Sequence, residues 1–450
     1  MVLAAALLLV ALLWAGTYVV MFDYPLTRDE HMVLFDGASY AAGKMAEPRP
    51  AEWAGFATAL VPDFLIETEG SVLLVSLHLP GNAAARAVFA KIADPALFSP
   101  LMVAAGLVVL WDIAERLFPD HPQVRWLALF LKDRWWSHGC AMVVGVLAMG
   151  LHQFVFHPLF AAPFVLWLLV QRRWALVLAY GAAYGAGLML WLAWPTMVVQ
   201  WGGVTIPVVS EQATLGGVIE TRILPKITRI DPRTLELMAD NLVRLLAWNA
   251  IFLLPFLLAL GPALRRREPI VLALAGGVVL TLAAVAILLP YQGHGWGYRY
   301  IHGLIGSLVL LAGFGYRELA RRESDHTEGA AAVMLAASAL VMVPAALLSA
   351  HRFVEPHARL HGIVTAQQTD FVIVDDLAYP AIIDEVRNRA DLSNRPLVFS
   401  RYHLGDDRIG VLCSRGSVAV VGAQAIAEVE LAAMPTEARP LDLNPCKVTR

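Results

Sequence analysis

Charge is scarce in this sequence. Of its 450 residues only 16% are Asp, Glu, Lys or Arg, against roughly 25% in a soluble globular domain. A chain of this length with so little charge cannot cover a soluble fold with polar surface. A basic excess is also missing: the formal net charge is −3, so the chain carries no electrostatic footprint for nucleic acid. Cysteine is rare. Cys140, Cys413 and Cys446 are too few for a disulfide framework or a zinc site. No internal repeat and no low-complexity linker interrupts the chain.

What the sequence has instead is apolar residues in blocks. Hydrophobic residues make up 58% of it and the mean hydropathy is +0.62. The blocks are about 17–22 residues long, enough to cross a bilayer core at 1.5 Å rise per residue. The first, VLAAALLLVALLWAGTYVV, lacks a basic flank and is longer than a signal-peptide core, so it reads as an uncleaved span. The expected fold is an α-helical polytopic membrane protein of about nine transmembrane helices, near 3–21, 97–117, 138–153, 155–171, 174–195, 245–264, 269–290, 301–317 and 330–350. The third and fourth form one apolar run, split at LHQFVFHP.

Basic residues orient these spans. Arg116, Arg125, Lys132 and Arg134, then Arg172 and Arg173, then Arg265, Arg266 and Arg267, then Arg317, Arg321 and Arg322 fill alternate connections. Nine spans put all four groups on the cytoplasmic side, with the N-terminus inside and the C-terminal segment outside. Trp135, Trp136, Trp174, Trp201, Tyr291, Trp296 and Tyr298 fall at span ends as an aromatic belt. The transmembrane domain is expected over 1–350, with outer loops at 22–96 and 196–244, followed by a small soluble α/β domain over 351–450.

The first outer loop opens YPLTRDEHMVLFDGASYAAGK. Thr27 and Glu30 have capping-box spacing and Gly43 suits a C′ position, which predicts a helix from Arg28 to Ala42. Asp29 in its first turn is favoured as an anion by the helix dipole. Asp29 and Glu30 either cap a helix and no more, or form a catalytic or cation-binding pair at the membrane surface. Trp53, Phe56, Leu60 and Phe64 recur at helical spacing, which fits an interfacial helix or one packed on the protein itself. In the tail, DFVIVDD, RPLVFS, IGVLC and VAVVGA read as strands, with YPAIIDEVRNRA and AQAIAEVELAAM as helices. Asp375 and Asp376 end a strand, where they read as a solvated strand end or as polar ligand groups; Cys413 and Cys446 are expected to pair if the domain lies in an oxidising compartment.

The acidic pair directly after span one, helices in that loop, the many-span body and the hairpin GHGWGYRY before a late span together resemble the bacterial GT-C membrane glycosyltransferases. That superfamily includes protein O-mannosyltransferases and lipid A aminoarabinose transferases. GLHQFVFHPLFAAPF also resembles uncharacterised members of the group. The resemblance covers about residues 1–350. It implies transfer of a sugar from a polyprenyl-phosphate donor to a hydroxyl on an envelope glycan, lipid or protein, at the outer face of the bacterial inner membrane. It also implies Asp29 as base, Glu30 as its orienter, a cation ligand or a plain cap, and Arg299 as phosphate ligand, with His294 and Tyr298 as added donors. Arg299 reads equally as a snorkelling interfacial arginine. His152 and His157 could touch phosphate or a metal, or be satisfied inside the helix bundle. Arg222, Lys226 and Arg229 could attract an anionic lipid carrier or form a solvated basic face. The residues single out no cofactor; a divalent cation is left open, because no ligand spacing demands one. The alternative reading is a transporter or flippase, for which ionisable residues within the spans would be the sign.

Overall fold

The computed structural model describes residues 2–61, 64–66, 73–118, 135–151, 153–202, 215–228, 232–249, 253–291, 298–322, 324–438 and 441. In chain order its principal elements are α1 (Val2–Val19), α2 (Arg28–Ala41), β1 (Glu47–Pro48), β2 (Leu73–Leu74), α3 (Gly81–Phe89), α4 (Phe98–Leu117), α5 (Trp135–Met149), α6 (Phe156–Val170), α7 (Trp174–Trp201), α8 (Arg233–Ala247), α9 (Pro269–Leu288), α10 (Ile305–Ala320), α11 (Val343–Thr365), β3 (Phe371–Val374), β4 (Leu397–Ser400), α12 (Ile409–Arg415), β5 (Val418–Val421) and α13 (Ala423–Glu428).

Among the described residues six helices are long and apolar enough to cross a membrane: Val2–Val19, Pro95–Leu117, Trp174–Trp201, Pro269–Leu288, His302–Ala320 and His326–Thr365. By length and composition the chain fits a multi-pass membrane protein. The expected count of nine is not reached by helices of that length. Three expected spans coincide with shorter apolar helices, Trp135–Met149, Phe156–Val170 and Leu253–Arg265. The last apolar helix does not stop near residue 350. It runs on to Thr365, so the tail begins as its continuation.

The chain divides into two compact units. One holds Met1–Trp14, Ser99–Ala193 and Val209–Ser349; the other holds Ala15–Phe98, Trp194–Val208 and Ala350–Arg450. The first outer loop and the tail, more than 250 residues apart in sequence, therefore belong to one body.

In the helical unit, Leu253, Phe256, Val285, Ile301, Leu304 and Leu308 form a buried core. A second cluster joins Leu260, Val271, Leu274, Leu311 and Phe314. Gly315 has a specific reason to be glycine: a Cβ there would collide with the Phe256 carbonyl oxygen. At one edge, Arg266 pairs with Glu318, and Arg317 pairs with Glu268 at 2.7 Å.

In the other unit the tail forms a three-stranded parallel sheet of order β4-β3-β5. Phe371 lies opposite Leu397 and Val418, and Val374 opposite Ser400 and Val421. The run Phe371–Val374 is buried at every residue, as a parallel strand covered on both faces must be. Alternation then assigns the faces. Val372 and Val374 face Leu360 and Val364 of α11. Phe371 and Ile373 face the first loop, with Trp53, Phe56 and Leu60.

This contact decides the apolar stripe of the first loop. Residues Ala51–Phe56 form a 3-10 turn and Ala57–Leu60 one α-helical turn. The Trp53 ring lies 5.6 Å from Phe371 and 5.7 Å from Phe399, centre to centre. The Arg415 guanidinium lies 5.2 Å from the Trp53 ring centre and donates to the Glu52 carbonyl at 2.9 Å. Of the two readings of this stripe, the one packed on the protein itself holds: it covers one face of the tail's sheet, together with Leu404, Ile409 and Leu412. One expectation for the tail fails: IGVLC is no strand but the start of α12, with Ile409 and Leu412 turned into the core. YPAIIDEVRNRA gives only a 3-10 turn, Pro380–Glu385. Cys413 is disulfide-bonded; Cys446, its expected partner, lies outside the described residues. Cys140 is free.

Candidate functional site

The site is built on α2. Thr27 caps it: the Glu30 amide donates to Thr27 Oγ1 at 3.5 Å and the Thr27 amide donates to Glu30 Oε2 at 3.4 Å, a complete capping box. At the other end the Gly43 amide donates to the Tyr40 carbonyl at 3.0 Å and the Lys44 amide to the Ser39 carbonyl at 2.9 Å. Gly43 takes φ +79°, the left-handed geometry that this Schellman closure requires. Both ends of α2 are thus fixed by local sequence, and Asp29 sits in its first turn, as expected.

Spacings of three and seven put Asp29, Met32 and Asp36 on one face of α2. That face meets the strand segment after β2. Asp29 Oδ1 lies 3.4 Å from His78 Nε2, and the two side chains keep 18% and 16% exposure. His78 is fixed in turn. Its ring lies 4.9 Å from that of Phe64, and its amide donates to Ser76 Oγ at 3.1 Å. The Ser76 hydroxyl donates to Asp36 Oδ2, and the Ser76 amide donates to Asp36 Oδ1 at 3.3 Å. Burial pushes the Asp36 carboxyl up to about 6, with the Ser76 hydrogen bonds offsetting part of the cost.

Glu30 is used as a cap. It also acts electrostatically on Arg86 of α3, whose guanidinium donates to Asn82 Oδ1 at 3.0 Å and lies 5.4 Å from the Phe98 ring centre. Arg28, next to Asp29, points into a separate buried network. It donates to the Ile383 carbonyl and lies 3.4 Å from Asp384. In the same network Tyr24 donates to Glu385 at 2.5 Å, and His361 lies 3.1 Å from the other Glu385 oxygen. The segment leading into Asp29 is therefore clamped to the tail.

The expected phosphate ligands fall in the helical unit. Arg299 stacks its guanidinium 5.6 Å from the Tyr300 ring centre. Tyr298 accepts a hydrogen bond from Asn249 and lies against Trp248 at 6.2 Å. His157 does not stand open: its Nδ1 is 2.8 Å from the Tyr184 hydroxyl, and the two rings stack at 5.8 Å. Lys226 of the second loop donates to the Leu288 carbonyl. His152, His294, Arg229 and the Arg222 side chain lie outside the described residues. Asp29 with Glu30, and Arg299 with Tyr298, thus form two local groups in different compact units.

Asp375 and Asp376 are not a solvated strand end. Arg401 pairs with Asp375 at 2.8 Å, and Asp376 accepts from Ser400 and from the Tyr402 amide. Among the described residues no three His, Cys, Asp or Glu side chains gather as metal ligands. His78, Ser76 and Asp36 join the site through the fold and not through any motif. The i to i+7 spacing of Asp29 and Asp36 is the one signal the sequence offers for them, and nothing local marks His78. No protein-family model matches this chain, and comparisons with characterised proteins and with solved structures give no match either.

Proposed function

We propose that the chain is a membrane glycosyltransferase that moves a sugar from a polyprenyl phosphate to an envelope acceptor hydroxyl. The observation carrying this reading is Asp29: an accessible carboxylate at the positive end of a doubly capped helix, shortly after the first apolar helix ends, and backed by His78. In the reaction the acceptor oxygen bonds to the anomeric carbon, and the bond from that carbon to the phosphate oxygen breaks. Polyprenyl phosphate leaves with the electron pair. Asp29 takes the acceptor proton, and His78 holds the carboxylate in place. Arg299 is the candidate that the resemblance implies for balancing the phosphate charge as the bond breaks. The membrane is the bacterial inner membrane, with the N-terminus inside and both Asp29 and the tail on the periplasmic side. The test is to supply the purified chain, in lipid nanodiscs, with labelled polyprenyl-phosphate sugars and envelope acceptor fractions. Labelled product with release of polyprenyl phosphate is expected; its absence with every donor class would reject the reading.

One observation favours transport instead. His138 lies 3.1 Å from the Tyr180 hydroxyl, and Tyr184 bonds to His157, placing two ionisable pairs among the apolar helices α5, α6 and α7. Tyr184→Phe separates the two readings. It abolishes substrate flux through proteoliposomes if these pairs line a path, and leaves transfer intact if they only join helices.

A further inference from the structure

The tail carries a cleft at the end of its parallel sheet. Its volume is about 380 Å³, and it is lined by Asp376, Leu377, Pro380, Ile383, Tyr402 and Thr436. Its position follows from the sheet. The order β4-β3-β5 means that the chain leaves β3 for one neighbour and returns to the other, and in open parallel sheets ligands sit beyond the carboxyl ends of such strands. Asp376 and Leu377 follow β3, and Tyr402 follows β4.

The chemistry of the cleft is asymmetric. Two adjacent carboxylates are buried at the end of β3, and one of them is neutralised: Arg401 lies 2.8 Å from Asp375 and 3.0 Å from Asp406. Asp376 is 3% exposed and receives neutral donors, the Ser400 hydroxyl and the Tyr402 amide at 2.9 Å. Among the described residues no cation contacts it. Burial raises its carboxyl from the ordinary value, and the Ser400 and Tyr402 hydrogen bonds, with the fields of His403 and Arg28, offset this only in part. A buried carboxylate without a counter-ion is costly, and a ligand that brings the missing charge recovers that cost. Around it stand the apolar walls of Leu377, Pro380 and Ile383, and Tyr402 at 63% exposure. An aromatic face beside a carboxylate in an apolar cleft is the combination that holds an organic ammonium ion.

We propose that the cleft beyond β3 and β4 binds a small ligand bearing a protonated or quaternary amine, with Asp376 as counter-ion and Tyr402 as aromatic face. The amine can come from a free metabolite or from a lipid headgroup; the chemistry is the same.

The test uses the full chain in detergent and needs no variant for its first arm. Choline is titrated calorimetrically against 3,3-dimethylbutan-1-ol, its neutral isostere. Choline should bind at least about tenfold more tightly. Asp376→Asn should erase that preference, Tyr402→Ala, at an exposed position, should weaken choline several-fold, and Asp29→Asn should leave binding unchanged. The same titration in phosphatidylethanolamine and phosphatidylglycerol nanodiscs separates the sources. Loss of choline binding only in phosphatidylethanolamine assigns the site to a headgroup, and equal binding in both assigns it to a free amine. Equal affinity for choline and its isostere, no binding of either, or binding indifferent to both cleft substitutions would overturn the proposal. None of these results depends on sugar transfer, so the two readings fail separately.

Discussion

Asp36 sits in an environment that its sequence context does not announce. It occupies α2 one heptad after Asp29, and burial raises its carboxyl to about 6. A carboxyl raised in the folded state contributes stability that is fully present below its unfolded value near 3.8 and is lost as pH rises through about 6. Above that pH the buried anion costs about 3 kcal/mol, because each tenfold change in proton affinity corresponds to about 1.4 kcal/mol. Asp36→Asn should therefore raise the unfolding temperature at pH 8 and leave it nearly unchanged at pH 4, measured by thermal unfolding in detergent. An unaltered pH dependence in the variant would show that Asp36 is not the group responsible. The same residue shows why the site is only half legible in the sequence. Thr27, Asp29, Glu30 and Gly43 act within one helix, so their spacing reveals the caps. Asp29 meets His78 across a long stretch of chain, and no local pattern encodes such a contact.

At the scale of elements, the short helical segment carrying Trp53 ties the first loop to the tail. Its apolar stripe is visible in the sequence, but its partner is not: Phe371 and Phe399 lie more than 300 residues further on. Truncating Trp53 to Ala should cost about 3–5 kcal/mol, seen as a lower unfolding temperature and faster proteolysis of both loop and tail. The native Trp53 should also resist quenching by brominated lipids. Quenching as strong as that of exposed Trp135 would restore the membrane-surface reading. The segment Ile409–Cys413 defeats a sequence reading for a related reason. A short apolar run does not distinguish strand from helix, and only the burial of Ile409 and Leu412, three apart, shows the helical period. The strands Phe371–Val374, Leu397–Ser400 and Val418–Val421 are legible because each is a β-branched or aromatic apolar run bounded by polar residues.

For the whole molecule, composition and loop charge make the membrane class legible, whereas the number of spans depends on where apolar runs break. Trp135–Met149 and Phe156–Val170 are each 15 residues long. At 1.5 Å per residue each covers about 22 Å, short of a hydrocarbon core of about 30 Å. The proposed periplasmic placement of the tail has a direct check. Alkaline phosphatase fused after residue 438 should be active and green fluorescent protein at the same point dark; the reverse pattern would place the tail in the cytoplasm and remove it from lipid-linked donors. The charge pattern also predicts that an added arginine cluster in the second outer loop will not invert the chain, because long loops weigh little in orientation.

All of these features serve sugar transfer only if Asp29 takes a proton from an acceptor. The most direct measurement is the rate of sugar transfer from labelled polyprenyl phosphate by the purified native chain, Asp29→Asn and Glu30→Gln, with folding of each confirmed by its unfolding temperature. The expected result is a loss of at least about a hundredfold for Asp29→Asn and a smaller effect for Glu30→Gln, whose carboxylate is occupied in the cap. Full transfer by a folded Asp29→Asn protein would contradict it.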